Sequence, residues 1–508
     1  MPRRASSRAR SASFPPPVGG WDTRNALADM PPENAVILDN WFPGTDKAQV
    51  RNGHASHATG LGSAVESLLE YTAPSGAGEL FGIAGGAIYD VTSSGAVGAA
   101  AVSSLTNSRF QSVQIGTAGG HFLFGVNGAD TPRTYDGGSW ATASITGPTA
   151  ANLIWCNLHQ RRLWFGETAS LTAWYLPVNS ISGTASQFSL AAIARQGGYI
   201  MAMGTWTRDS GEGADDVAVF LTSEGEAIVY AGTDPSAAAT WELIGVFRIG
   251  KPIGRRCMIK AGADLIMVTE DGFVSASRIL SMDRSQAELA AISKQINKAV
   301  NDAVRAYSTN FGWQPFLYPK GTQLIFNVPL SASEAHQYVF NTITTAPCRY
   351  TGIPAICWAL LGDKPYFGAS DGTVYEFDTG NADNGAAIDA DALQAFSYFG
   401  SPGYSKAFKR VDLLFQGADD PQPAIDLNVD FKIKTPEGVS LPNATDSAKW
   451  GVSKWGVGLW GSPNQVWRGW RGVSGYGRSA SIRVRTKSSV SAPAWLSTDW
   501  IYVTGGQR

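Results

Sequence analysis

Between about residues 65 and 380 one local pattern recurs: a short apolar or alternating run, a turn of Gly, Asp, Asn or Ser, and a second run ending in an aromatic residue. Such pairs read as β-hairpins, because alternation turns one face to a core while the small polar residues accept the tight reversal. The clearest are Leu80-Phe81-Gly82-Ile83-Ala84 with Ala87-Ile88-Tyr89-Asp90-Val91, Val217-Ala218-Val219-Phe220-Leu221 with Glu226-Ala227-Ile228-Val229-Tyr230, Leu265-Ile266-Met267-Val268 with Phe273-Val274, and Pro365-Tyr366-Phe367-Gly368-Ala369 with Thr373-Val374-Tyr375-Glu376-Phe377. Looser copies surround His121–Gly125 and Arg161–Gly166. The second-run markers Tyr89, Tyr135, Tyr175, Tyr230, Val274 and Tyr375 are separated by 46, 40, 55, 44 and 101 residues, the last interval holding about two units. That step overlaps the ~40–50-residue period of four-stranded propeller blades. A four-stranded sheet has two apolar faces, and radial stacking buries each against a neighbour while leaving only short edges. The expectation is an all-β chain in which residues 65–385 form a β-propeller of roughly six to eight blades. A set of β-sandwiches would carry the same hairpins.

One segment, 281–307, breaks the pattern. Asp283 or Ser285 can cap it, and Leu289, Ile292, Ile296, Ala299, Val300, Ala303 and Val304 recur at helical spacing, with Lys294, Asn297, Lys298, Asn301 and Asp302 opposite. It reads as an inserted helix, an excursion from one blade placed to contact a neighbouring subunit. Before the repeats, residues 1–18 are basic, Ser-rich and then Pro-rich, a composition expected to form a flexible arm; residues 19–64 read as an N-terminal docking segment. After 385 the runs Phe408–Phe415, Ile425–Ile433 and Ile482–Arg485 alternate apolar and charged residues, as half-exposed antiparallel strands do. This C-terminal β domain, 386–508, holds a Trp-Gly repeat at Trp450, Trp455 and Trp460, then Trp467 and Trp470; seven of the 17 tryptophans lie in the last 59 residues. Five-residue spacing suits neither a helix face nor a strand face, so the repeat reads as a loop. Its indoles either insert into a neighbouring surface or pack in their own domain.

Charge argues against a phosphate clamp. The 40 Lys and Arg balance 42 Asp and Glu for a net charge of −2, which disfavours tight nucleic-acid binding. Charged residues make up 16% against a usual ~25%, and 44% are hydrophobic, so charge-driven disorder is excluded and large cores are allowed. No window approaches the ~18 apolar residues that span a bilayer, so no stable membrane insertion is expected. The Arg-rich start runs into Pro15-Pro16-Pro17 without the apolar stretch of a secretion signal.

Motif searches return little chemistry. Cys156, Cys257, Cys348 and Cys357 are 101, 91 and 9 residues apart, fitting neither a disulfide framework nor a zinc site, and read as reduced thiols. The five His residues form no helical metal pair, so neither metal nor cofactor is expected. There is no Gly-x-Ser-x-Gly elbow; Gly60-Leu61-Gly62-Ser63-Ala64 and Gly116-Thr117-Ala118-Gly119-Gly120 lack a P-loop lysine. Ser370-Asp371-Gly372-Thr373 is better explained as a turn than as an aspartate box. The acid pairs Asp215-Asp216, Glu270-Asp271 and Asp419-Asp420 fit solvated turns. Arg161-Arg162 and Arg255-Arg256 read as solvated strand ends, with DNA or subunit contact as the alternative. No catalytic residue is assigned, and a non-enzymatic chain is expected.

The segment Gly20-Trp21-Asp22-Thr23-Arg24, then Met30-Pro31-Pro32-Glu33-Asn34-Ala35-Val36-Ile37-Leu38-Asp39-Asn40-Trp41-Phe42-Pro43 and Val50-Arg51-Asn52-Gly53, resembles the opening of the tail nozzle, or tail tubular, proteins of short-tailed bacteriophages. The likeness extends to the repeated middle, the helix and the Trp/Arg/Gly-rich ending. It implies a structural virion protein assembled in the host cytoplasm: a homohexameric tube below the tail adaptor ring, carrying fibre or spike proteins, with propellers around a DNA channel and a β platform built partly from the chain ends. Contact with double-stranded DNA would be transient and non-specific, and a near-neutral wall would let DNA pass where a basic one would hold it. On that resemblance the interface anchors are Trp21, Arg24, Trp41, Phe42, Trp450, Trp455, Trp460, Trp467 and Trp470. The other reading is a carbohydrate-binding or carbohydrate-cleaving propeller, a lectin or glycosidase, with exposed Trp as sugar platforms.

Overall fold

The computed structural model describes residues 9–209, 214–279, 291–437 and 465–505. The chain forms two compact units: Ser56–Gln337 with Ile353–Phe377, and Met1–Ala55 with Tyr338–Gly352 and Asp378–Arg508.

The first unit is an antiparallel β-propeller. Five small sheets stand apart, beginning with strands Val65–Thr72, Gln111–Thr117, Leu153–His159, Ile200–Asp209 and Met258–Ala261. Two more antiparallel groups follow, Gln314–Tyr318 with Gln323–Pro329, and Ala355–Leu361 with Lys364–Ala369 and Val374–Phe377. The first strands of these seven groups touch in cyclic order, and Ala355–Leu361 returns to Val65–Thr72, so the ring closes at seven blades. Strand His54–Thr59, whose residues 56–59 belong to this unit, hydrogen-bonds beside Val374–Phe377. Chain from ahead of the first blade thus completes the last.

Each hairpin expected from sequence is the second and third strands of a blade, such as Gly78–Ala84 with Ala87–Asp90 and Ala214–Thr222 with Glu226–Gly232. The Ser370-Asp371-Gly372 segment is a turn: Asp371 accepts the Thr373 N–H at 3.0 Å and the Tyr375 hydroxyl at 2.7 Å, and Gly372 sits at φ +75°. The 101-residue interval contains the helix and the whole sixth blade.

Cores lie between blades, as radial stacking requires. Leu69, Phe81, Phe110 and Tyr135 pack the first against the second; Phe124, Leu163 and Phe165 the second against the third; Trp155, Trp164, Phe220, Tyr230 and Trp241 the third against the fourth. Ala58, Val65, Leu80, Tyr366 and Val374 join the seventh to the first. The Trp164 and Trp241 rings are 5.7 Å apart and stacked, and aromatic pairs of this kind add about 0.5–1.5 kcal/mol beyond the area they bury.

The helix is Asn297–Tyr307, preceded by a 3-10 turn at Ile292–Ile296. Ile296, Val300, Ala303 and Val304 are its buried stripe, the periodicity read from sequence, and it packs against Gly272–Ser275 and Gln323–Pro329 of two blades. The earlier part of the expected helix, with Asp283, Ser285 and Leu289, lies outside the described residues.

The second unit is the antiparallel platform, and both chain ends build it. Its long pair is Lys406–Gly417 with Ala494–Thr504, extended by Ala48–Val50, Trp41–Pro43, Gln465–Trp467 and Trp470–Gly477. A second layer runs Asn34–Asp39, Ala386–Gln394, Ala480–Ser488 and Ala424–Val429. Two expectations change here. Of the supposed flexible arm, Ala9–Phe14 is a strand, paired from Ala9 with Val503 to Phe14 with Thr498; an exposed edge supplies the backbone partners that its composition could not supply alone. The strand expected over 425–433 ends at Val429, because Asp430 and Phe431 take φ +48° and +65° and turn the chain.

Candidate functional site

Two places concentrate unusual chemistry, one in each unit. In the platform, the opening motif ties a buried ionic knot. Asn40 sits at φ +60° between strands Asn34–Asp39 and Trp41–Pro43, aiming its amide at Thr351 and Asp389. Arg51, its side chain 1% exposed, spends all five N–H donors: Nε on Asn40 Oδ1 (2.8 Å), Nη1 on Asn52 O (3.0 Å) and Asp383 Oδ1 (2.8 Å), Nη2 on Thr351 O (2.9 Å) and Asp383 Oδ2 (2.6 Å). His54 Nδ1 is 3.1 Å from Asp383. Burial raises the Asp383 carboxyl, but hydrogen bonds from His54 and Arg51 together with the Arg51 charge outweigh it and hold the group below the usual carboxylate range. A second fork joins Arg349 to Asp39 at 2.7 and 2.6 Å.

This organisation relocates the sequence-chosen interface residues. Trp41 is fully buried against Phe415 and Trp495, and Trp21 is buried against Tyr338 with the Arg349 guanidinium 5.3 Å from its ring. Both are core residues of the chain's own fold, not anchors for another surface, because a sealed indole offers no face. Phe42 and Trp467 are half-buried, the latter donating Nε1–H to Gly417 O at 3.2 Å. Arg24 and Trp470 are exposed. Trp450, Trp455 and Trp460 lie outside the described residues.

In the propeller, the site is the axis. A cavity of about 450 Å³ takes lining from all seven first strands, at 68–70, 111–112, 155–157, 202–203, 258–259, 314–317 and 357–360. A second of about 750 Å³ lies where several first strands begin, lined by Ser63, Glu66, Ser108, Arg109, Asn127, Asn310 and Phe311 among others. Arg255 and Arg256 line both. Arg256 Nη2 donates to Glu66 O (2.9 Å), Ser67 Oγ (2.6 Å) and Phe110 O (3.1 Å), while its Nη1 is buried with no hydrogen-bond partner among the described residues. Arg109 pairs through Nε with Glu66 at 3.0 Å and lies 4.2 Å over the Phe311 ring, which Arg256 also approaches at 5.2 Å. Desolvation lowers the proton affinity of Arg255 and Arg256, and the Arg109 charge acts in the same direction.

Sequence reading placed Arg255-Arg256 at a solvated strand end. Arg255 is exposed, but Arg256 is pinned to three acceptors inside the ring. Arg109, Glu66 and Phe311 were missed, since each is unremarkable until the ring brings residues 66, 109, 256 and 311 together. Among the described residues, no three His, Cys, Asp or Glu side chains gather as metal ligands would. The four cysteines are free thiols, with burial pushing Cys257 up to about 12 and Cys357 to about 11. Among the described residues no helix is long and apolar enough to cross a membrane.

No family model and no curated protein matches the chain. Among solved structures, the computationally designed Ika8 protein aligns at 10% identity and a TM-score of 0.36 over 64% of this chain and 99% of its own. BBS1N, solved in complex with ARL6DN, aligns at 8% and 0.41 over 65% of this chain and 98% of its own.

Proposed function

We propose that the chain is a structural subunit of a short-tailed phage tail nozzle, a homohexameric conduit for DNA during ejection that also offers an attachment platform to the adaptor ring and fibres. The observation that carries this reading is where apolar surface is left uncovered. Among the described residues, seven of the ten exposed large hydrophobic side chains (Ile343, Tyr404, Ile433, Val466, Trp470, Tyr476 and Val490) belong to the platform unit, the smaller of the two by residue count. Val466, Trp470 and Tyr476 lie on Gln465–Trp467 and Trp470–Gly477, both paired to Lys406–Gly417. Exposed apolar residues concentrated on one part of a chain are a mark of an interaction surface. The resemblance of the opening motif supplies the kind of assembly. Sedimentation of the purified full-length chain tests it: a hexamer is expected, with Trp470→Ser plus Tyr476→Ser shifting the population to monomer while the β circular dichroism stays unchanged. A wild-type chain that remains monomeric at every concentration would overturn the proposal.

The second reading, a carbohydrate-binding or carbohydrate-cleaving propeller, draws on the axial cavity, whose volume falls within the roughly 300–1,000 Å³ of small-molecule sites. Zymography on cell-wall and capsule polysaccharides separates the two, since a conduit leaves the polymer intact.

A further inference from the structure

We propose that the axial cavity of the propeller binds a small hydroxylated anion, a sugar acid or a sugar phosphate, whose carboxylate or phosphate is held by Arg255 and Arg256. The site belongs to the single propeller and does not depend on assembly.

Charge balance is the first argument. The 750 Å³ cavity is lined by three guanidinium groups, Arg109, Arg255 and Arg256, and by one carboxylate, Glu66, already engaged by Arg109 Nε. Arg255 has no hydrogen-bond or ion-pair partner among the described residues. Arg256 is fixed in the wall through Nη2, and its Nη1 is buried with no hydrogen-bond partner among the described residues. A concave wall focuses the field of like charges, so three guanidinium groups against one engaged carboxylate favour an anion. Planar guanidinium forks match the paired oxygens of a carboxylate or phosphate.

The rest of the wall sets the ligand's other half. Ser63 and Gln111 offer a hydroxyl and an amide, the chemistry that meets a sugar's hydroxyls; Thr106, Asn107, Ser108 and Asn127 stiffen the wall through bonds to Asp130, to one another and to the backbone, and Phe311 gives one apolar face. The wall is close-fitted: at Gly128, φ +77°, a Cβ would lie 2.8 Å from Ile154 Cγ2 and 3.1 Å from Arg255 Nη1, so backbone conformation and the arginine's position both call for glycine there.

Isothermal titration of the full-length chain with glucuronate, glucose 6-phosphate, inorganic phosphate and glucose tests this. Saturable binding of glucuronate or glucose 6-phosphate is expected, tighter than inorganic phosphate, with no binding of glucose; the two sugar arms distinguish a carboxylate ligand from a phosphate ligand. Arg255→Gln, at an exposed position, should weaken binding by about tenfold or more, the worth of a hydrogen bond to a charged group. Added chloride should weaken wild-type binding, a readout independent of any variant. Absence of binding by both sugar anions, equal affinity for glucose, binding no tighter than inorganic phosphate, or affinity unmoved by both Arg255→Gln and chloride would each overturn the proposal.

Discussion

Replacing Arg51 by Met should unlock the platform unit while leaving the propeller folded. The magnitude follows from what the guanidinium leaves behind. Five hydrogen bonds disappear, and Asp383, its side chain 12% exposed, keeps among the described residues only His54 as a neighbour able to carry positive charge within bonding reach. Breaking a buried ion pair by removing one partner costs about 3–5 kcal/mol, because the remaining charge stays desolvated. At about 1.4 kcal/mol per tenfold, amide exchange in Asn34–Asp39 and Ala386–Gln394 should accelerate by two to nearly four orders of magnitude, while Ala214–Thr222 is unaffected. Hydrogen exchange read by mass spectrometry resolves these strands separately. The Arg51→Met/Asp383→Leu double variant should cost less than the sum of the two single ones, since the second substitution removes the orphaned charge. The depressed Asp383 carboxyl also fixes the pH window. Its contribution is present above the unfolded carboxylate value of about 3.9 and is lost as pH falls through the lower folded value, so wild type should shed it only in strong acid. An acceleration under tenfold, or strictly additive single-variant costs, would mean that the Arg51–Asp383 knot does not hold these strands.

Two further outcomes follow from the blades. His159 is buried beside Trp241, with Nδ1 3.2 Å from Thr205 Oγ1, and desolvation pushes it down to about 4. The folded state therefore binds fewer protons than the unfolded one between about pH 4 and 6.5, and stability should fall by about 3 kcal/mol on acidification across that window; His159→Gln should flatten the slope in urea titrations taken pH by pH. Gly166→Ala would drive a Cβ to 2.1 Å from Trp155 Nε1, and that fully buried indole is tied to Ile200 O at 3.0 Å and cannot move aside. A loss of about 1–3 kcal/mol or more is expected, seen as a lowered thermal midpoint of the propeller.

The blades were legible because their middle strands are short, mostly apolar runs joined by Gly- and Asp-containing turns, a purely local signal. The sixth blade escaped notice because the turn into Gln323–Pro329, through Gly321-Thr322, lacks the Asp-Gly signature. In the platform, the opening motif could be recognised as a pattern, but its physical content could not. Arg51 meets Asp383 across 332 residues of sequence, and no local rule announces that partner. Trp21 and Trp41 show the same limit: indoles in a Pro-bounded segment suit an interface and a core equally, and only the long pair Lys406–Gly417 with Ala494–Thr504 decides the matter for Trp41. The axial arginines depended on closure of the ring.

In the proposed function, copies of this chain join through their platform units to make the wall of a phage tail tube. Negative-stain images of particles labelled with an antibody against the chain test it most directly. Label confined to the tail, with purified protein averaging to six-fold rings, is the predicted result. Unlabelled tails together with solitary single-propeller particles would contradict it.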